Sequence, residues 1–133
     1  MARTPSNMLP LGTKASNFSL FDTVSQTYKN LDELKGKKGT VIMFICNHCP
    51  FVIHINEALV AISKHYMELE INFIAISSND VNNYPQDSPE RMKIHAKDNN
   101  YAFPYLYDET QEVAKAYDAA CTPDIYVFNN GLK

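Results

Sequence analysis

Apolar and polar positions repeat with two different periods along this chain, and the switches between them mark its elements. Residues 1–16 show neither period and carry Pro5, Pro10 and Gly12, an irregular lead-in. In "NFSLFDTVSQTYKNLDEL" apolar and polar residues alternate through Phe18, Leu20 and Tyr28, which predicts a short hairpin at a sheet edge. After the polar turn "KGKKG", the segment Thr40–Cys46 ("TVIMFIC") is continuously apolar and β-branched, as a strand buried on both faces is. From Pro50 onward Val52, Ile55, Leu59, Ile62 and Tyr66 recur at spacings of three and four. That predicts one buried helical stripe, with His54, Glu57, Lys64 and Glu68 turned to water.

Ile71–Ser77 ("INFIAIS") reads as a second buried strand. "SPERMKIHAKDNN" opens with Ser88 as N-cap, Pro89 at the first helical position and Glu90 in the first turn. His95 inside this helix, like His54 and His65 on the first, is expected on its solvated side. "FPYLYD" is a short extended piece, and the capping-box spacing of Asp108 and Gln111 predicts a third helix starting there. Asp124–Phe128 ("DIYVF") is a last strand and "NNGLK" a hairpin turn. Strands alternating with helices imply an α/β domain, residues 17–133, with a mostly parallel sheet covered on both sides. Only Leu132 and Lys133 follow the turn at Asn130-Gly131, so the pattern reads as cut short before a closing strand and helix.

Composition narrows the partners more than the fold. The chain has 133 residues, 45% hydrophobic and 20% charged, which is globular usage for one domain. Fifteen acidic against twelve basic residues give a net charge of −3, with no basic stripe for nucleic acid or anionic membrane. No apolar run reaches the ~18 residues of a membrane span. The N-terminal stretch lacks the apolar core of a secretory signal, so a cytoplasmic protein is expected. Three cysteines are too few for a disulfide framework; in a reducing compartment a close pair points to catalysis or metal.

That pair is Cys46 and Cys49 in "CNHCP", where the buried strand gives way to the helix. The unpaired N–H groups and positive end of a helix favour an anion, so the Cys46 thiol should ionise more readily than a free cysteine. Cys49, one turn along, can reach back to close a short disulfide, and Pro50 is tolerated because the first turn does not need its N–H. Asn47 and His48 can both present donors to the thiolate, and a protonated His48 adds charge. A stabilised thiolate makes the disulfide the stronger oxidant, between the extremes of about −270 and −120 mV known for such motifs. Two alternatives stand beside redox chemistry. The cysteines could be buried core residues, or half of a zinc site completed from Cys121, His48 and His54.

"FICNHCPFV", followed by "YPQDSPERM", "AFPYLYDETQEVAKAYDAACTPD" and "CTPDIYVF", resembles the thioredoxin-like redoxins of the alkyl hydroperoxide reductase/thiol-specific antioxidant (AhpC/TSA) group over nearly all of residues 15–133. The resemblance implies a thioredoxin fold: a central mixed sheet with helices on both faces, here without its C-terminal strand and helix. It implies Cys46 as attacking and Cys49 as resolving cysteine, and Thr122-Pro123 as the dipeptide whose cis-proline faces the disulfide. Cys121, beside that dipeptide, is either a third redox thiol or a small buried residue.

Three departures from the pattern matter. The peroxiredoxin arrangement Pro-x-x-x-Thr-x-x-Cys is absent, since Met43 precedes Cys46 by three and Cys46 precedes Cys49 by three. Thioredoxin's buried acid, six residues ahead of the first cysteine, is replaced by Thr40, so another group or water must accept the proton of Cys49. The family's chain also continues past the last hairpin. The reading is a thiol–disulfide oxidoreductase needing no metal or organic cofactor. Its partners are disulfide-bearing proteins or small thiols and a recycling reductant. A thiol peroxidase using Cys46 and a non-enzymatic metal-binding or redox-sensing module are the alternatives.

Overall fold

The computed structural model of the chain describes residues 14–45, 50–78, 85, 88–117, 124–129 and 132, and for 50–55 the backbone alone. Its elements follow as β1 (Ser19–Asp22), β2 (Thr27–Asn30), α1 (Leu31–Leu34), β3 (Gly39–Phe44), α2 (Pro50–Met67), β4 (Ile71–Ser77), α3 (Pro89–Asp98), β5 (Tyr105–Tyr107), α4 (Glu112–Ala116) and β6 (Asp124–Asn129). All six positions of β3 are buried. A strand so enclosed must satisfy its N–H and C=O groups on both edges. It does so with β4 in parallel, from Gly39↔Ile71 to Phe44↔Ile76, and with β6 antiparallel, from Gly39↔Asn129 to Phe44↔Asp124.

The six strands run in the order β2-β1-β5-β4-β3-β6. The expectation of a mostly parallel sheet is corrected to a mixed one, as the family resemblance implied. Only β3, β4 and β5 are mutually parallel; β2, β1 and β6 join antiparallel. Parallel pairing needs a crossover of a dozen or more residues, which α2 and α3 with their loops supply. The connection through α4 instead returns the chain as β6, which runs back against β3.

Two cores lie on the two faces. Val41, Met43, Ile45, Phe73, Ala75 and Tyr105 meet Leu59 of α2 and Met92 and Ala96 of α3. On the other face Ile42, Phe44, Ile74, Ile76 and Leu106 meet Ala15, Phe18, Leu31, Tyr117, Tyr126 and Phe128. β6 alternates strictly, with Asp124, Tyr126 and Phe128 inward and Ile125 and Val127 outward at 44% and 73% exposure. Its outer face, on the α2 side, is thus open among the described residues.

Several local expectations hold. The edge hairpin forms, tied by an edge-on contact of Phe21 and Tyr28 at 5.6 Å. The side chain of Ser88 caps α3 by accepting from Arg91 N–H, with Pro89 first in the helix. Leu132 N–H donates to the Asn129 carbonyl at 3.0 Å, the i→i+3 closure of a turn, while residues 130 and 131 lie outside the described residues.

Others are corrected. The tail of the hairpin segment is a one-turn helix, because Asn30 and Glu33 form a reciprocal capping box. On α2 the buried stripe is Asn56, Leu59, Val60 and Ser63, while Ile62 and Tyr66 are 48% and 41% exposed. Small, hydrogen-bonded polar groups let this face approach the sheet: Ser63 donates to the Val60 carbonyl at 2.8 Å and Asn56 accepts from the Tyr101 hydroxyl at 2.7 Å. His95 is half-buried rather than solvated, with Nε2 3.4 Å from Asn56 Nδ2. It sits three residues after the buried Met92 and so turns partly onto the packed side of α3. His65 is exposed as expected, and the side chain of His54 is not described.

The helix expected at Asp108 starts four residues later. Gln111 adopts φ 64°, a left-handed conformation that no helix can pass through, and caps nothing with its side chain. Asp108 reaches past it to accept from Ala114 N–H at 2.9 Å and Val113 N–H at 3.4 Å.

Tyr117 closes the second core. Its hydroxyl donates to the Ser16 carbonyl at 2.6 Å, tying the N-terminal segment to the sheet, and its ring meets Phe44, Tyr126 and Phe128. Burial pushes this phenol up from the ordinary value of 10.0. The folded chain therefore keeps a proton that the unfolded chain has begun to lose, so this contribution is whole below about pH 10 and fades above it. Tyr117→Phe should cost about 1 kcal/mol at neutral pH in urea unfolding. Between about pH 10 and 11 the variant should lose less stability than the parent chain, which a paired pH series of urea melts reads directly.

Candidate functional site

The described chain stops before one motif and resumes after the other at the same end of the sheet. The parallel strands β3, β4 and β5 all finish there, and antiparallel β6 begins there. At β3 the last rung is Phe44↔Asp124. Two peptide bonds beyond Phe44 comes Cys46, and one before Asp124 comes Pro123. Two motifs more than 70 residues apart in "CNHC" and "CTPD" are thus tethered to a single rung.

Cys46, Asn47, His48, Cys49, Cys121, Thr122 and Pro123 themselves lie outside the described residues. So do the thiol pairing, the cis bond at Thr122-Pro123 and the direction of Cys121. Pro50 is the first residue of α2, as expected. This helix has 18 residues and no acidic side chain in its first turn, so nothing there offsets its positive end. Thr40, which stands where thioredoxin has an acid, is fully buried and accepts the Gly36 N–H at 3.0 Å. It holds the turn before β3. A Cβ at Gly36 would collide with the carbonyl oxygens of Gly39 and Glu70, so the turn requires glycine there.

Three buried carboxylates belong to the described residues. Asp22 accepts from Val24 N–H, the Ser25 hydroxyl and Tyr105 N–H, which fixes the hairpin turn to β5. Asp108 accepts from Ala114, Val113 and the Ser78 hydroxyl at 2.8 Å, which fixes α4 to the end of β4. Asp124 is 3% exposed, and its Oδ2 accepts from the Tyr126 hydroxyl at 3.1 Å. Strand alternation carried the signal for it: an acid in phase with Tyr126 and Phe128 falls on an apolar face.

Beside β3, on the opposite face from Asp124, stands the fully buried Ser77, whose hydroxyl has no hydrogen-bond partner among the described residues. A groove of about 540 Å³ lies elsewhere, between β1 and α4, lined by Phe21, Tyr28, Tyr107, Glu109 and Glu112 among others and by none of the expected site residues. Among the described residues no three His, Cys, Asp or Glu converge as a metal would require, and no helix is long and apolar enough to cross a membrane.

The buried polar pair makes opposite predictions. Asp108→Ala strands buried donors and should cost about 2–3 kcal/mol in urea unfolding. Ser77→Ala removes a hydroxyl that has no partner among the described residues and should be neutral or slightly stabilising by the same measurement.

The AhpC/TSA family matches residues 11–132. An uncharacterised conserved protein from Geobacillus kaustophilus is 54% identical over 100% of this chain and 70% of its own, with a TM-score of 0.98. A hypothetical protein from Sinorhizobium meliloti is 40% identical over 96% of this chain and 69% of its own, TM-score 0.91. The thioredoxin domain of a Bacteroides vulgatus thiol-disulfide oxidoreductase shares the fold, at 16% identity, TM-score 0.78, and 95% and 86% coverage. No curated protein matches the chain.

Proposed function

The chain belongs to the AhpC/TSA family, and on that premise we propose that it is a thiol–disulfide oxidoreductase working through Cys46 and Cys49. The observation that carries this reading is the Phe44↔Asp124 rung, which tethers "CNHC" and "CTPD" to one end of the sheet. The first cysteine precedes α2, whose positive end favours a thiolate.

The Cys46 thiolate attacks one sulfur of a partner disulfide. A Cys46–partner bond forms, the partner's own S–S bond breaks, and the released thiolate takes up a proton. Cys49, as thiolate, then attacks the Cys46 sulfur and expels the second partner thiolate. The partner has gained two electrons and the chain holds a Cys46–Cys49 disulfide, which a cellular dithiol must reduce again. Extended substrates would lie along Thr122-Pro123. Asn47 and His48 tune the couple, and a reducing cytoplasm is the proposed setting. A peroxidase reading shares Cys46 but lacks the threonine that the peroxiredoxin pattern places three residues before it.

Insulin reduction with dithiothreitol as reductant should be accelerated by the parent chain and fall to background in Cys46→Ser. Cys49→Ser should accumulate a mixed disulfide visible by intact mass. Rapid hydrogen peroxide consumption without insulin reduction would instead establish the peroxidase, and stoichiometric zinc in the freshly purified protein would establish the metal-binding module.

A further inference from the structure

We propose that the groove between β1 and α4 docks an extended basic segment of a partner polypeptide, its cationic side chains held by Glu109 and Glu112 and faced by the ring of Tyr28. The assignment goes beyond the thiol chemistry and does not depend on it. Every residue lining the groove is a described one, and its volume of about 540 Å³ is that of a ligand site.

The lining carries charge of one sign. Asp108, Glu109 and Glu112 contribute to it, and no lysine, arginine or histidine does. Asp108 is spent on α4, accepting from Ala114 and Val113 N–H and from the Ser78 hydroxyl. Glu109 and Glu112 are exposed. Neither makes an ion pair: among the described residues that contact is Lys37 with Glu70 alone. The nearest cations in sequence leave them uncompensated. Lys29 follows Tyr28 and so projects from the other face of β2, and Lys115 of α4 is outside the lining.

Aromatic rings stand beside these carboxylates. Tyr28, Phe21 and Tyr107 share one face of three adjacent strands through the rungs Phe21↔Tyr28 and Phe21↔Tyr107. Phe21 braces the Tyr28 ring at 5.6 Å, yet Tyr28 is 71% exposed. A braced, wet aromatic next to unpaired acids attracts a cation through its ring face. Charge complementarity thus selects a base over a neutral or acidic ligand.

The backbone selects a polymer over a lone amine. β1 pairs with β5 only at Phe21↔Tyr107 and Asp22↔Leu106, because the chain leaves the sheet at Asp108 to reach α4. Alongside Ser19 and Leu20 the β5 side of β1 carries no strand among the described residues. A partner main chain can pair there while its side chains reach the acids, as in strand addition.

The probe is acetyl-Ala-Arg-Ala-Arg-Ala-amide, which has no cysteine, titrated into the full chain labelled with nitrogen-15. Amide shifts should change at Ser19, Leu20, Tyr28, Glu109 and Glu112. The double variant Glu109→Gln/Glu112→Gln should weaken binding about 10-fold, and Tyr28→Ala about threefold. Glu57→Gln/Glu68→Gln makes the same change of net charge on exposed positions of α2 and should stay within about twofold of the parent. Equal losses in the two double variants, shifts centred elsewhere or no saturable binding would overturn the assignment. So would equal affinity for acetyl-arginine-amide, which makes the groove a small-cation site. Broadening at the same residues that grows with protein concentration, without peptide, would make a second copy the occupant and overturn it too. If the double variant does not fold, salt decides with the parent chain. Raising ionic strength from about 0.01 to 0.15 M should weaken binding at least about fivefold, and an unchanged affinity overturns the assignment.

Discussion

The enclosure of β3 is the constraint from which the rest follows. A six-residue segment with every position buried has no water to satisfy its peptide groups, so both of its edges must be paired. Pairing with β4 and β6 fixes which chain ends meet. Parallel pairing on one side demands a crossover helix, and that helix must start where β3 stops. Antiparallel pairing on the other side brings the chain from residue 123 back to the same place. That Phe44 and Asp124, each next to or within one of two remote motifs, share a rung is therefore a consequence of satisfying backbone hydrogen bonds in a dry interior.

How much of this could be read from residues alone depended on which force decided each element. β4 matches its expected range, Ile71–Ser77, because continuous apolarity in a short β-branched run has one good solution. α3 begins at Pro89 with Ser88 as its cap, because cap chemistry is local. Where tertiary contact decided, the pattern misled. Leu59, Ile62 and Tyr66 have helical spacing, yet α2 turns Asn56 and Ser63 inward beside Leu59. Those polar groups find partners only in the folded chain, Asn56 in Tyr101 and His95. The Asp108–Gln111 spacing was a correct sign of capping, but the left-handed turn at Gln111 displaced the helix and made Asp108 cap it from further back. The mixed sheet was implied by family resemblance and not by strand–helix alternation, which does not reveal the direction of an edge strand.

The candidate site shows the same division. The cysteine motif is a sequence signal, and so is its place before a helix. Asp124 was visible as a residue, but its place opposite Phe44 depends on the register of β3 and β6. Its inward direction, in phase with Tyr126 and Phe128, was legible in the alternation of "DIYVF". The strand against which it pairs was not.

The first turn of α2 carries no acidic side chain, so the field at the positive end of this 18-residue helix is left uncompensated by the helix itself. Peptide dipoles set that field, and no single side chain does. It therefore persists for as long as the helix does, and the helix is the crossover that the parallel pairing of β3 with β4 requires. The backbone constraint that encloses β3 and the electrostatics at the start of α2 are thus two results of one packing arrangement.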